Sequence, residues 1–222
     1  MRYFLVDHEN VGSSGIKGLK NLSKRDKIVV LYSRNADTFK IDTMLELINT
    51  IKEKEIDIKF YEIPMVGPNA LDFNLSAIVG GIICSAKSKN VEIIIISKDG
   101  GYDALLKGAP IIFDEQISKK KTTYSFERVP CLYAYLLDDF IKKTELMEAL
   151  ASDGIESQYS VIKTAIINEI TKHSCTDINT SFSRICNEIL YASEALGKRT
   201  LGVAKPHIKK ILELLHHDYI YH

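Results

Sequence analysis

An α/β fold, with a parallel sheet covered by helices on both faces, is what three observations predict for this 222-residue chain. Strand signals recur at 2–7, 28–32, 57–63, 92–97 and 110–113, several of them short apolar runs bounded by polar turns. Strands buried on both faces of a parallel sheet read in this way. Segments with helical spacing separate the runs, and alternation of strand and helix is the order that builds a parallel sheet. From Val129 onward only helical periodicity remains. The chain therefore divides into an α/β domain over 1–125 and a helical C-terminal domain over 126–222, in keeping with domains of roughly 100 to 200 residues.

The first run, Tyr3-Phe4-Leu5-Val6, ends in Asp7, and the connection that follows holds Gly12, Gly15 and Gly18 and is only partly helical. Strand two leads to a helix that Asp37 caps, with Ile41, Met44, Leu45, Ile48 and Ile51 at intervals of three and four. Strand three runs into a turn-rich stretch, 64–69, whose last residue, Asn69, caps the next helix. That helix, over 70–88, is apolar almost all round, with Leu71, Leu75, Ile78, Val79, Ile82 and Ile83, the mark of burial on more than one side. After a polar stretch carrying Lys119-Lys120-Lys121, helices are predicted near 130–151, 158–173, 178–195 and 204–217.

Composition narrows the function classes. Lysine plus arginine equals aspartate plus glutamate at 29 each, so a polyanion would have to be attracted by local patches. No apolar run approaches the roughly 18 residues of a membrane helix, and the start is too short for a signal peptide, which gives a cytoplasmic protein with no membrane partner as the expectation. Cys84, Cys131, Cys175 and Cys186 are scattered without a Cys-x-x-Cys pair, the pattern of reduced, mostly buried thiols rather than of a zinc or redox motif.

Aspartates carry the chemistry. Asp7 and Asp99 follow apolar strands, and Asp72 opens the helix after strand three. In a βα order all three lie on the carboxyl rim, where open α/β sheets bind their ligands. Gly100 and Gly101 let the backbone turn sharply, so Asp103 falls in the first turn of the next helix, aimed back at Asp99. Oxygen donors in such a cluster suit a hard cation, Mg2+ or Mn2+, and carboxylates held together raise one another's pKa unless a cation is present. Glu9 and Asn10 can add contacts, and Ser97 can hydrogen-bond a ligating carboxylate. Each acid also has a structural explanation: Asp7 as a strand end, Asp72 as a charge suited to its helix dipole, Asp103 as a cap. Those explanations do not account for an aspartate at all three junctions.

Val6-Asp7-His8-Glu9-Asn10-Val11, Ala70-Leu71-Asp72-Phe73 and Ile96-Ser97-Lys98-Asp99-Gly100-Gly101-Tyr102-Asp103 resemble the three motifs of bacterial PIN-like domains of the NYN type, over residues 1 to about 115. The resemblance implies a three-layer α/β/α sandwich with a five-stranded parallel sheet in which strands one and four are neighbours. It also implies a metal-dependent endoribonuclease, with Mg2+ or Mn2+ held by Asp7, Asp72, Asp99 and Asp103 and products bearing a 5′-phosphate and a 3′-hydroxyl. One departure is visible: many relatives carry the second acid of the last motif where Gly101 stands here.

An RNA track would use Arg34 at the end of strand two and Lys98 inside the motif, extended by Lys107 and Lys119-Lys120-Lys121. Tyr102 can stack on an unpaired base, whereas Tyr32 and Tyr61 lie on strands and read as core. The alternative is a non-catalytic nucleotide- or RNA-binding module whose helical tail engages a partner. A haloacid-dehalogenase-like phosphatase wants a second aspartate two residues after the first, where Glu9 stands, and a receiver domain wants an aspartate where Glu62-Ile63-Pro64 ends strand three. The tail reads as an RNA reader, a homodimerisation unit or a cap on the sheet. Its basic clusters, Lys198-Arg199 and Lys205 with Lys209-Lys210, read as solvated faces, and His216, His217 and His222 as surface groups rather than metal ligands.

Overall fold

A computed structural model of the chain describes residues 1–64, 67–173, 177–192 and 197–220, without the side chains at 173, 197 and 216–220. Cys175 and His222 lie outside this description, as do the side chains of His216 and His217. Five strands, β1 (Arg2–Asp7), β2 (Lys27–Tyr32), β3 (Asp57–Glu62), β4 (Asn90–Ile96) and β5 (Thr123–Val129), form one sheet in the order β3-β2-β1-β4-β5. Every pairing is parallel.

Alternation along the strands sends Leu5, Val29, Leu31, Ile93 and Ile95 to one face and Phe4, Val6, Ile28, Val30, Ile94 and Ile96 to the other, all buried. Helix α3 (Ala70–Ser85) covers the first face through Leu71, Leu75, Val79, Ile82 and Ile83. Against the second lie the short helix α1 (His8–Val11) and 3-10 turns at Gly12–Ile16 and Leu19–Asn21, with Val11, Ile16 and Leu19 buried. Gly15 makes this layer possible, because a Cβ there would overlap Val11. Helices thus stand on both sides of the sheet, in the expected α/β arrangement.

Several expectations fail here. The apolar run at 110–113 is not a strand; it ends helix α4 (Tyr102–Ile112), with Ile111 and Ile112 exposed. The fifth strand is Thr123–Val129, whose side chains alternate between exposed and half-buried because β5 edges the sheet. Helix α2 (Ile41–Lys54) has the predicted period but turns the other way. It buries Thr43, Leu47 and Thr50 and exposes Ile41, Leu45, Ile48 and Ile51. Polar bonds to the preceding connection hold that orientation: Glu46 accepts from the Gly18 amide at 3.2 Å, and Ser13 Oγ accepts from the amide of Lys40, the N-cap, at 2.9 Å. Asp37 does not cap α2, which has Lys40 at its N-cap, and Asn69 stands at the N-cap of α3 with φ 60° and no side-chain cap bond.

Within the polar stretch, Lys119 and Lys120 are helical. They end helix α5 (Asp114–Lys120), where Lys119 pairs with Glu115 and Lys120 reaches the carbonyls of Ile83, Cys84 and Ala86 at the end of α3. A cation at the carboxyl end of a helix satisfies exposed carbonyls and its dipole.

Two compact units make up the chain, Met1–Tyr133 and Ala134–His222, so β5 lies whole in the first. Helix α6 (Leu132–Lys142) leads into the second unit, which holds α7 (Leu146–Ser152), α8 (Tyr159–His173), α9 (Ile178–Ala192) and α10 (Gly197–Ile220). The helix expected at 130–151 is therefore two. Helix α9 packs on α8 and α10, and α7 packs on α10, around Leu146, Leu150, Ile162, Ile166, Ile185, Ile189 and Leu212. Among the described residues Cys84, Cys131 and Cys186 form no disulfide, Cys84 being exposed, and no helix is long and apolar enough to cross a membrane.

Candidate active site

The sheet reverses its winding between β1 and β4, which opens a crevice at their carboxyl ends. Asp7, the last residue of β1, sits in it only 5% exposed. Its Oδ1 accepts from the Asn10 amide at 3.2 Å, and its Oδ2 from Ser97 Oγ at 3.1 Å and Tyr102 Oη at 3.2 Å. Burial pushes the Asp7 carboxyl above its ordinary pKa, the Asn10, Ser97 and Tyr102 bonds pull it down, and nearby Asp72 pushes it up again. Burial, together with Asp72 and Asp7, drives the Tyr102 phenol far above its usual range, so it stays a donor.

The loop after β4 is tied to the same centre. Ser97 Oγ also accepts from the Asp99 amide at 3.0 Å, the Asn10 side-chain oxygen accepts from the Lys98 amide at 2.7 Å, and Asp99 Oδ1 accepts from the Gly101 amide at 2.8 Å. Asn10 thereby pins the Lys98-Asp99 loop to α1. Asp72 enters from the first turn of α3. Asp7, Glu9, Asn10, Asn69, Asp72 and Asp99 line one open pocket of about 260 Å3.

Asp103 is not among the residues lining that pocket. It forms a forked ion pair with Arg128 of β5, Nε to Oδ1 at 2.7 Å and Nη2 to Oδ2 at 3.2 Å, and the guanidinium holds its carboxyl below the ordinary range. Arg128 also donates to the Ser97 carbonyl at 3.3 Å. Arg34 stands apart from the acids, paired with Glu62 at 3.0 Å in a second pocket. Lys98 is exposed on the rim.

Among the described residues, no three His, Cys, Asp or Glu side chains come together as a ready-made metal cage. The donor set of the acidic pocket nonetheless suits a hard divalent cation. Its ionisable members are all carboxylates, and magnesium takes few carboxylates directly while keeping several waters that bridge to others. Asp7 supports the same fit, since among the described residues its bonds come from neutral donors, which leaves its buried charge uncompensated.

Three residues escaped sequence reasoning. Tyr102 reads as a base-stacking group, yet its hydroxyl binds Asp7 and it is 2% exposed. Arg128 lies on the strand that the apolar-run criterion overlooks. His8, adjacent to Asp7, is buried with its ring stacked on Phe39 at 4.0 Å, and no pattern in the sequence announces it.

Residues 1–109 match the family model described as PIN domain, which supports a PIN-like domain over this part of the chain. PIN domains are generally metal-dependent nucleases. No curated protein matches the chain.

Proposed function

We propose that the chain is a metal-dependent endoribonuclease that hydrolyses RNA phosphodiester bonds with Mg2+ or Mn2+ as cofactor. One observation carries the reading: a carboxylate buried at the switch point of the sheet, with neutral donors around it and two further aspartates on the same pocket wall. Asp7, Asp72 and Asp99 would hold the cation, with Glu9 beside them. When bound, it supplies Lewis-acid stabilisation of charge on the scissile phosphate and a water acidic enough to act as nucleophile near neutral pH.

The chain's own residues prepare that chemistry. Ser97 and Tyr102 orient the Asp7 carboxylate and keep its Oδ2 from rotating. Asn10 fixes the loop that presents Asp99, and the exposed Lys98 ammonium sets a positive charge on the rim that favours an incoming phosphate. The Arg128–Asp103 fork anchors the first turn of α4, from which Tyr102 projects. Asp103 in this reading positions Tyr102 rather than binding metal.

A second reading keeps the same rim as a non-catalytic nucleotide- or RNA-binding module. The lack of a preformed three-residue cage among the described residues favours it. The full chain, incubated with circular single-stranded RNA and with a structured RNA in manganese, with chelator, and as the Asp99→Asn variant, separates the two. Cleavage of the circle in manganese that chelator and the variant both abolish supports the nuclease. RNA binding without a cut under any metal condition supports the module.

A further inference from the structure

The second pocket lies on the same rim, one step toward the sheet edge. In the sheet register Asp7 faces Leu31, and Tyr32, the next residue, faces Glu62 at the end of β3. Tyr32, Arg34, Asp37, Phe39, Phe60 and Glu62 wall a cavity of about 360 Å3, within the range of small-ligand sites. It starts two strand spacings or less, about 10 Å, from the acidic pocket.

Aromatic rings join the two places. The His8 ring, next in sequence to Asp7, stacks on Phe39 at 4.0 Å and 15°, and Phe39 meets Phe60 edge to face at 5.8 Å and 81°. His8 Nε2 lies 3.1 Å from the Thr38 carbonyl, which holds the ring and hence Phe39 in place. Phe60 stays 39% exposed, an aromatic face open to a ligand. At the rim Arg34 donates through Nε to one Glu62 oxygen at 3.0 Å, a bond that leaves the other guanidinium donors and the second carboxylate oxygen to pair with a ligand edge.

We infer that this pocket binds one unpaired base of the RNA, stacked on Phe60, and that guanine fits it best. The inference rests on the nuclease reading for its substrate and deepens it by naming how the strand is read. Two acids and one arginine make a poor phosphate site but a good base-edge reader. The Watson–Crick edge of guanine sets the O6 acceptor, for an arginine, beside the N1–H and amino donors, for a carboxylate, whereas that of uracil has no amino group. Bases splayed from a single strand and stacked on aromatic side chains are the usual mode of sequence-selective RNA binding.

The test measures binding apart from cleavage. Fluorescence anisotropy of labelled five-nucleotide RNAs on the full chain in chelator compares a central guanosine flanked by uridines with all-uridine RNA and with the same guanosine in a duplex. The guanosine single strand binds several-fold tighter than either. Phe60→Ala weakens it roughly 5- to 100-fold, and Arg34→Ala, at a side chain 83% exposed and hence harmless to folding, removes the guanine preference. Equal binding of all three RNAs, or affinity untouched by both variants with the fold verified by circular dichroism, overturns the pocket. Manganese-dependent cutting with no base preference and no response to Phe60→Ala leaves the nuclease standing and sinks the pocket. Guanine-selective binding with no cutting does the reverse.

Discussion

Two aspartates are buried at opposite ends of the same strand pair, and their surroundings are inverted. Asp26, just before β2, is 2% exposed and receives a fork from Arg2 at the start of β1, with Nε to Oδ1 at 2.8 Å and Nη2 to Oδ2 at 2.6 Å. Ser23 donates to it through both its amide and its hydroxyl. These partners outweigh burial and hold its carboxyl below the ordinary range. Asp7, at the carboxyl end of β1, is as buried but has neutral donors, and its carboxyl is pushed up instead. One end of the sheet satisfies its acid within the protein, and the other leaves an acid for something outside it.

Exchanging each acid for its amide tests that contrast most directly. Asp7→Asn lowers manganese-dependent cleavage by roughly 10³-fold, the scale of losing an oriented charge at a reacting phosphate, while the metal-free melting temperature holds or rises. A variant that melts early and cuts normally would invert the assignment. Asp26→Asn does the opposite in denaturant titration, costing about 3 kcal/mol by breaking a buried ion pair on one side, with cleavage per folded molecule unchanged.

Acidity gives a finer view because the two groups titrate on either side of their common reference of 3.8. In the metal-free protein Asp7 has a raised folded pKa, so the native state binds its proton first, and stability rises as pH falls through that value toward 3.8. Asp26 has a depressed folded pKa, so its contribution is complete above 3.8 and is lost as pH falls below it toward the folded value. Urea midpoints measured from neutral pH downward should climb and then drop. The climb vanishes in Asp7→Asn, and the drop shrinks in Asp26→Asn. The smallest effect belongs to Asp103→Asn, which loosens a half-buried ion pair and slows cleavage by no more than roughly tenfold. A loss as deep as that of Asp7→Asn would return Asp103 to the metal site.

The sequence announces the centre of the sheet far better than its margins. Strands β1, β2 and β4, covered on both faces, stand out as continuous apolar runs, and the position of Asp7 at a strand end follows from them. Strand β5 has no second neighbour, so Thr-Tyr-Ser-Phe-Glu-Arg-Val alternates with period two and lacks such a run. The exposed Ile111-Ile112 imitates one. Missing β5 hides Arg128, and without Arg128 nothing in the spacing tells that Asp103 already has a cation. Helix α2 repeats the lesson: its period is plain, but the side it buries is set by Glu46 and Lys40 meeting a connection whose path the sequence leaves open. Tyr61, read as core, is exposed because β3 too is a margin.

Strand order carries a dynamic consequence. Strand β1 is hydrogen-bonded on both sides, whereas β3 is bonded on one and exposed from Lys59 to Glu62. Amide protons of β1 therefore exchange with deuterated solvent only on near-global opening, while those of β3 exchange through local fraying. Asp7 thus rides on a strand held from both sides, and the aromatic wall formed by Phe60 rides on an edge strand that is free to fray.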